Sequence, residues 1–257
     1  YLNSKGISDI DIYEDLDNIY NKLNNINGLN FNRLSNFDRL VDSYDAYNYT
    51  HVIHLGAISS TSNKIDDFDK IRWKNIDFTN SLFNDIKGSN IKLIFASSAS
   101  VYGNTDDFSE RIDNLKPLHW YGMSKLLMDR RIFNEKLGIS LRFFNVYGPG
   151  EKHKLEQGMA SPISTFFHKS LLNKTKRNFS KIPIYKDNRE MARDFIYIDD
   201  VCEILYYTLV NDIQNGIYNV GSGIATGWSE IAALVCEKLK IDRNNYFEPA
   251  QLPDKLK

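Results

Sequence analysis

The amino-acid sequence predicts an α/β fold, built on a doubly wound parallel sheet and followed by a smaller C-terminal lobe. Before Pro149, short apolar runs alternate with longer segments of helical periodicity. Small and polar residues follow directly after the runs, at the points where strands would end. Strands that alternate with helices at this spacing are parallel and joined by right-handed crossovers, and such sheets bind ligands at the carboxyl ends of their strands.

The strands are justified in chain order by short apolar runs bounded by turn or helical segments. They are predicted at residues 10–13, 51–55, 91–96 and 140–145. Helical periodicity at residues 67–86 and 121–136 separates the last three of them. The residues that can carry chemistry therefore fall at one edge of the predicted sheet.

The rhythm of the sequence changes beyond Pro149, where the domain boundary is expected. Residues 1–149 form the main sheet domain in this interpretation, and residues 150–257 form mainly the substrate lobe. A strand at 217–220 and a helix at 228–239 are expected to return to the main domain. The rest of the lobe is predicted to contain the polar loop GPGEKHKLEQG, a helix at 163–172, the strand KIPIY, the segment ARDFIYIDDV and a helix at 200–210.

Composition excludes several classes of protein. The 257 residues are 42% hydrophobic and 13% aromatic, which is enough for a sizeable core and excludes disorder. The 32 basic and 33 acidic residues nearly cancel and form no block, so neither a nucleic acid nor a membrane is predicted as a partner. Cys202 and Cys236 share no CxxC spacing, and no signal peptide or membrane span is found, which favours a cytoplasmic protein with reduced thiols.

Three residues of complementary chemistry are associated with the third predicted strand and the helix after it. LIFASSASVYG places Ser98 just past the strand, and WYGMSK places Tyr121 and Lys125 one helical turn apart. Hydride transfer needs a serine that holds the substrate oxygen and a tyrosine that exchanges its proton. It also needs a lysine that lowers the tyrosine pKa from about 10 toward neutrality. The sequence therefore predicts an oxidoreductase mechanism with these three residues as the catalytic set.

Spacing alone does not single out this set, because Tyr1 and Lys5 in YLNSK repeat it. Tyr121 is favoured by the strand upstream and by the helix-compatible sequence SKLLMDRRIF that follows. The hydroxyls of Ser97, Ser98 and Ser100 can instead satisfy backbone groups after the strand. Because alternate residues of a strand face opposite sides of the sheet, only some of these hydroxyls can point to the ligand cleft.

The segment HLGAISS after the second main strand is rich in small residues, which allow close approach of a ligand. Gly56 and Ala57 can pack against a dinucleotide, and Ser59 or Ser60 can bind its phosphates or the substrate. The alternative is an ordinary turn. His54 is expected to be a satisfied core histidine.

Two basic residues of the second lobe have alternative interpretations. Lys154 in EKHKLEQG reads as a solvated loop lysine by pattern alone. Arg193 can bind phosphate through a bidentate guanidinium or pair with Asp194. Metal and acyl-transfer chemistry are not predicted, because no HExxH or GxSxG pattern is present.

Together these motifs resemble the extended short-chain dehydrogenase/reductase family of nucleotide-sugar epimerases and dehydratases, over essentially the whole chain. The resemblance is carried by SSASVYG, YGMSK and FFNVYGPG, and later by ARDFIYIDDV and GIYNVGSG. It implies a Rossmann-like fold, with residues 1–149 as the dinucleotide-binding domain. Within the family, HLGAISST, GEKHKLEQGMAS and LPDKLK are most similar to the ADP-L-glycero-D-manno-heptose 6-epimerases.

That similarity implies an isomerase that inverts C6 of ADP-D-glycero-D-manno-heptose through transient NADP-dependent oxidation to a 6-keto intermediate. Inversion needs one proton-exchanging group on each face, which the resemblance assigns to Tyr121 and Lys154. It further implies an ADP-heptose-type substrate, a homo-oligomer and a role in lipopolysaccharide core biosynthesis. The alternatives are a UDP-hexose 4-epimerase or another epimerase or reductase of the family, and less favourably a non-catalytic dinucleotide-binding protein.

The resemblance also implies two sets of binding residues. The cofactor set is Glu14, Asp15, Leu55, Gly56, Ala57, Ile58, Ser59, Asn75, Lys125, Val146 and Lys154. The substrate set is Ser98, Asn145, Gly158, Tyr185, Lys186, Asp187, Asn188 and Arg193. Carboxylates after the strand at 10–13 usually bind the ribose hydroxyls of NAD, yet these epimerases favour NADP. NADP is therefore expected, with NAD as the alternative and Lys22 offsetting the negative charge.

The glycine-rich loop that binds the dinucleotide pyrophosphate, and the strand that precedes it, are missing from this sequence. We therefore expect the chain to be a fragment of a longer reading frame.

Overall fold

An α/β fold with parallel strands is confirmed by the computed structural model. The structure describes residues 1–17, 19, 23–37, 49–59, 65–156, 158–175, 180–185 and 192–251. The chain divides into two compact units. The first unit comprises Tyr1–Phe144 and Asp199–Val220, and the second comprises Asn145–Ile198 and Gly221–Lys257.

The strands of the first unit are all parallel to their neighbours. Strand β1 (Asp11–Glu14) pairs with β2 (Arg33–Asn36). A four-stranded sheet has the order β3 (His51–His54), β4 (Lys92–Ser98), β5 (Gly138–Phe143) and β9 (Gly216–Val220). Because the central strands β4 and β5 are buried on both faces, they appear in the sequence as nearly continuous apolar runs.

The described helices of the first unit are α1 (Leu23–Ile26), α2 (Ile65–Ile71), a π-helical segment (Arg72–Asp77), α3 (Phe78–Ile86), α4 (Trp120–Glu135) and α7 (Ile198–Val210). Leu82, Phe83 and Ile86 of α3 form one buried cluster with Leu93 and Phe95 of β4. None of the described helices is long and apolar enough to pass through a bilayer.

The second unit has smaller sheets and its own core. Strand β8 (Arg193–Tyr197) lies between β6 (Asn145–Tyr147) and β10 (Ala225–Thr226), and β7 (Ile182–Tyr185) pairs with β11 (Phe247–Ala250). The helices are α5 (Lys152–Glu156), α6 (Pro162–Thr175), α8 (Trp228–Leu239) and α9 (Arg243–Tyr246). Helix α6 begins at a proline, whose missing N–H is not needed in the first turn.

The observed division of the chain differs from the predicted one in three places. The strand predicted at 140–145 ends at Phe143, and Asn145 begins β6 of the second unit. The strand predicted at 217–220 is β9, and it pairs with β5 in the first unit as expected. The helix predicted at 228–239 is α8, and it belongs to the second unit and not to the main sheet domain. Its buried residues Ile231, Ala232 and Val235 pack in the core of the second unit, because that core supplies the apolar surface that they cover. Helix α7, expected in the second lobe, lies almost entirely in the first unit.

An ion pair inside the first unit holds α4 against β5. Asp129 of α4 and Arg142 of β5 are both fully buried, with Nε to Oδ2 at 2.8 Å. Ser140 donates to the other carboxylate oxygen at 2.6 Å, and Arg142 also donates to the hydroxyl of Tyr102 and the carbonyl of Arg111. Because both charges are out of water, removing either one leaves the other unpaired at high cost.

Replacing Asp129 by asparagine is expected to lower the free energy of unfolding by about 3–5 kcal/mol, because Arg142 then stays buried without its counter-ion. Urea denaturation followed by circular dichroism measures the change. Glu135→Gln is the matched control on the same helix: Glu135 pairs with Lys87 and Arg131 at the surface, where such pairs contribute about 0–1 kcal/mol. Equal losses in the two variants would contradict this account of the buried pair.

Helix α4 buries a second charged residue, Lys125, one turn before Asp129. Its side chain is only 3% exposed, and Nζ donates to the carbonyl of Ala96 in β4 at 2.5 Å. The ammonium also lies 4.5 Å from the centroid of the Phe95 ring. Burial lowers the pKa of Lys125 from 10.5 to about 8, while the nearby Asp129 carboxylate acts in the opposite direction.

This lowered pKa predicts a stability that rises with pH. Between pH 8 and 10.5 the unfolded chain binds the proton that native Lys125 has lost, so the native state gains roughly 2–4 kcal/mol across that window and nothing below it. The measurement is the free energy of unfolding of the unchanged protein minus that of Lys125→Met at several pH values. The subtraction removes the contribution of every group that does not interact with Lys125, and a difference independent of pH between 8 and 10.5 would refute the prediction.

Candidate active site

The structure brings Ser98, Tyr121 and Lys125 together in the first unit. Ser98 is the last residue of β4, and Tyr121 lies in the first turn of α4. The two side chains are hydrogen-bonded to each other, and Ser98 Oγ also accepts the backbone N–H of Ser100 at 3.2 Å. Lys125 Nζ lies 5.9 Å from the centroid of the Tyr121 ring. By contrast, Tyr1 and Lys5 are exposed, in and beside a short 3-10 helix.

The tyrosine pKa does not shift in the expected direction. Burial raises the pKa of Tyr121, and its hydrogen bond with Ser98 only partly opposes this. The expected lowering by Lys125 is absent because the ammonium points to the carbonyl of Ala96 and makes no hydrogen bond to the phenol. In this structure Tyr121 is therefore an acid that holds its proton at neutral pH.

His119 positions Tyr121, although the sequence analysis did not select it. As the N-cap of α4, its Nδ1 accepts the backbone N–H of Gly122 at 3.2 Å. Its ring stacks on that of Tyr121, with centroids 6.1 Å apart and planes 14° apart. Burial lowers the pKa of His119, which favours the neutral ring that this cap requires. The sequence signal for this role is a polar side chain just before the helix predicted at 121–136, where an N-cap is expected.

Gly122 lets the start of α4 approach the turn after β4. A Cβ atom at this position would lie 2.7 Å from the carbonyl oxygen of Ser100, closer than real Cβ contacts allow. The glycine of the WYGMSK motif therefore serves the approach of Tyr121 to Ser98.

The loop after β3 is exposed, yet its backbone is fixed. Leu55, Gly56, Ala57 and Ser59 are exposed. Asn75, in the π-helical segment, accepts the backbone N–H of Ile58 at 2.8 Å and donates to its carbonyl at 2.9 Å. A loop rich in small residues and held at Ile58 suits a dinucleotide, because its backbone groups can approach a ligand closely.

The same asparagine connects this loop to α4. Asn75 is only 3% exposed, and its amide also donates to Ser124 Oγ at 3.1 Å. Ser124 in turn donates to the carbonyl of Tyr121 at 2.8 Å. The predicted cofactor residue Asn75 thus acts on the loop and on α4 together. His54 is a core histidine as expected, with Nε2 2.9 Å from Thr79 Oγ1 and its pKa lowered to about 3 by burial and by Lys125.

Glu14, the last residue of β1, and Asp15, the next residue, have partners within the first unit. Glu14 Oε1 accepts the backbone N–H of Asp15 at 2.9 Å. Asp15 pairs with Lys74 of the π-helical segment, with Oδ2 to Nζ at 2.6 Å. Lys22, expected to offset this charge, lies outside the described residues.

The remaining predicted residues that are described belong to the second unit. Asn145 donates to the carbonyl of Asp194 at 3.1 Å and begins β6, which also contains Val146. Tyr185 ends β7, and the exposed Arg193 begins β8. The carboxylate of Asp194 accepts from Ser222 and Gly223 and so fixes their turn.

Lys154 is an exposed residue of the short helix α5. Its helix is preceded by Glu151, which the sequence analysis did not select and which accepts from Gly148, Ser161 and Ser164. Burial by itself would raise the pKa of Glu151, but these donors outweigh it and hold the pKa below its usual value. Gly158 has φ +68°, in the left-handed region. Lys186, Asp187 and Asn188 lie outside the described residues.

Comparison with known proteins connects this geometry to one family. Residues 9–221 match the model of the NAD dependent epimerase/dehydratase family. The ADP-L-glycero-D-manno-heptose-6-epimerase of Fusobacterium nucleatum subsp. nucleatum is 35% identical over an alignment of 231 residues that covers 84% of this chain and 68% of that protein. The protein of the same name from Brachyspira hyodysenteriae is 33% identical, over 100% of this chain and 80% of its own length.

Solved structures agree with the sequence relatives. The crystal structure of the Helicobacter pylori ADP-L-glycero-D-manno-heptose-6-epimerase is similar with a TM-score of 0.71 and 26% identity, covering 85% of this chain and 68% of that one. The resemblance to nucleotide-sugar epimerases noted in the sequence is thereby confirmed. The family model matches most of this chain, and Ser98, Tyr121 and Lys125 lie together in the first unit. The chain therefore belongs to the NAD dependent epimerase/dehydratase family.

Proposed function

We propose that the protein inverts C6 of ADP-D-glycero-D-manno-heptose to the L-glycero form. The observation that carries this proposal is the half-buried hydrogen bond between Ser98 and Tyr121, with the Lys125 ammonium 5.9 Å from the centroid of the tyrosine ring. The choice of substrate is supported by the relatives of that name, which are 33–35% identical to this chain. Reversible hydride exchange with a sugar carbon is the chemistry that a bound nicotinamide dinucleotide supplies.

The residues of the first unit handle the oxygen and its proton. Ser98 holds the oxygen on C6, and Tyr121 takes the hydroxyl proton as the carbon loses its hydride and becomes a ketone. Tyr121 rests in its protonated form, so donation to a ketone oxygen needs no prior ionisation. For the opposite step Tyr121 must lose its proton, and its hydrogen bond with Ser98 favours the phenolate. The amino group of Lys125 holds β4 through the carbonyl of Ala96.

The residues of the second unit complete the reaction in this proposal. Lys154 exchanges the proton on the opposite face of C6, so that the returning hydride gives the inverted carbon. Val146 and Lys154 contact the cofactor. The substrate is bound by Asn145, Gly158, Tyr185, Lys186, Asp187, Asn188 and Arg193.

We further propose NADP as the cofactor, with NAD as the alternative, and assembly as a homo-oligomer. The cofactor residues of the first unit are Glu14, Asp15, Leu55, Gly56, Ala57, Ile58, Ser59, Asn75 and Lys125. Action in the cytoplasm fits the two free thiols, Cys202 and Cys236, since thiols stay reduced there.

Tyr121→Phe is expected to reduce the rate of C6 inversion by about 10²–10⁴-fold, because phenylalanine keeps the ring stacked on His119 but carries no exchangeable proton. The assay incubates the protein with ADP-D-glycero-D-manno-heptose and follows the configuration at C6 by NMR. Tyr1→Phe, at the other YxxxK, is the matched control and keeps the unchanged rate. Inversion by Tyr121→Phe at the rate of the control would remove Tyr121 from the mechanism, and no inversion by the unchanged protein would remove the proposed substrate.

Lys154→Ala separates this function from a UDP-hexose 4-epimerase. In a 4-epimerase the keto sugar rotates in the site between the two hydride transfers. One tyrosine therefore serves both faces of the sugar, and no second proton donor is needed. C6 inversion without Lys154 is expected to slow by 100-fold or more, because proton transfer on one face is lost. Oxidation of the isomer that Tyr121 serves continues and is visible as absorbance of the reduced nicotinamide. Lys152→Ala, on the same helix, is the control. A loss below tenfold, with turnover of a UDP-hexose, would favour the 4-epimerase.

A further inference from the structure

The carboxyl end of β1 carries an acidic residue whose charge is balanced from another part of the first unit. Asp15 Oδ2 lies 2.6 Å from Nζ of Lys74, although the two residues are separated by 59 positions in the chain. The side chains are 23% and 31% exposed, so the pair is anchored in the protein but open to a ligand. A carboxylate at the end of this strand therefore does not present a full negative charge.

The π-helical segment sets the position of Lys74. The next residue, Asn75, is held by both backbone groups of Ile58, so the segment is fixed at the loop after β3. Lys74 Nζ lies 5.1 Å from the centroid of the Phe37 ring, just beyond the end of β2. Phe37 itself packs edge to face on Trp73 at 5.6 Å. The ammonium is thus built into the edge of the sheet beside the ends of β1 and β2.

The chemistry of this edge bears on which dinucleotide binds. A carboxylate here accepts a hydrogen bond from the ribose 2'-hydroxyl of NAD and repels the 2'-phosphate of NADP. An ammonium beside the carboxylate removes the repulsion and offers the phosphate a charge-assisted hydrogen bond. Because partly exposed ion pairs are weak, exchanging the carboxylate for a phosphate with more charge costs little.

We propose that Lys74 is a specificity-determining residue of the dinucleotide site, whose ammonium binds the 2'-phosphate of NADP and offsets the charge of Asp15. The inference rests on the proposed function, because it concerns the dinucleotide that this function requires. It assigns the choice between NADP and NAD to a lysine of the π-helical segment.

The test is calorimetric titration of the purified protein with NADP⁺ and, separately, with NAD⁺. Lys74→Met keeps most of the aliphatic stem and removes the charge. It is expected to weaken NADP⁺ binding by 10–100-fold and to change NAD⁺ binding by less than threefold. Lys74→Arg is expected to restore NADP⁺ binding to within fivefold. Lys70→Met, an exposed lysine of the preceding helix, is the matched control and leaves both affinities unchanged.

The double variant Lys74→Met with Asp15→Asn tells direct contact from charge balance. Affinity for NADP⁺ that stays weak supports a direct bond to the phosphate, whereas partial recovery supports charge balance as the larger part of the effect. Equal weakening of both dinucleotides by Lys74→Met, or no change in either, overturns the proposal. Selective loss of NADP⁺ binding without any C6 inversion by the unchanged protein would keep Lys74 in its role and reject the proposed substrate. No binding of either dinucleotide by the unchanged protein rejects both.

Discussion

The amide of Asn75 is the interaction on which the candidate site depends. A single side chain satisfies the N–H and the carbonyl of Ile58 and also donates to Ser124, which holds the carbonyl of Tyr121. Asn75 itself is buried, where each polar group must have a partner and alternatives are costly. The bonds therefore connect the loop after β3, the π-helical segment and the start of α4, and they give the candidate cofactor loop a defined relation to Tyr121.

Burial has opposite consequences for the two titratable residues of the catalytic helix. Burial raises the pKa of Tyr121 and lowers the pKa of Lys125, because removal from water disfavours the charged form of each group, the phenolate and the ammonium. Asp129 moderates the effect on Lys125 while being itself neutralised by Arg142. The polar interior of the first unit thus combines a structural ion pair with a lysine that titrates near physiological pH.

Local signals in the sequence predict much of this arrangement, and long-range contacts account for the rest. The helix of Tyr121 and the strands β1, β3, β4, β5, β7 and β9 follow from periodicity and spacing, whereas β2 was not predicted. The π-helical segment lies within the helix predicted at 67–86, because the periodicity of so short a segment does not distinguish a π-turn from an α-turn. The partnership of Asp15 with Lys74 crosses 59 positions, and the tyrosine pKa depends on where the Lys125 amine points. Neither is encoded in a short window of residues.

The path of the chain between the two compact units has an evolutionary consequence. The chain leaves the first unit at Asn145, returns at Asp199 and leaves again at Gly221, so neither unit is one continuous stretch of sequence. A single recombination breakpoint cannot exchange the second unit for that of a relative without also splitting the four-stranded sheet, since β9 would separate from β5. Exchange of the second unit between relatives is therefore expected to need a breakpoint at each of the three crossings, which makes point substitution the simpler route to change within it.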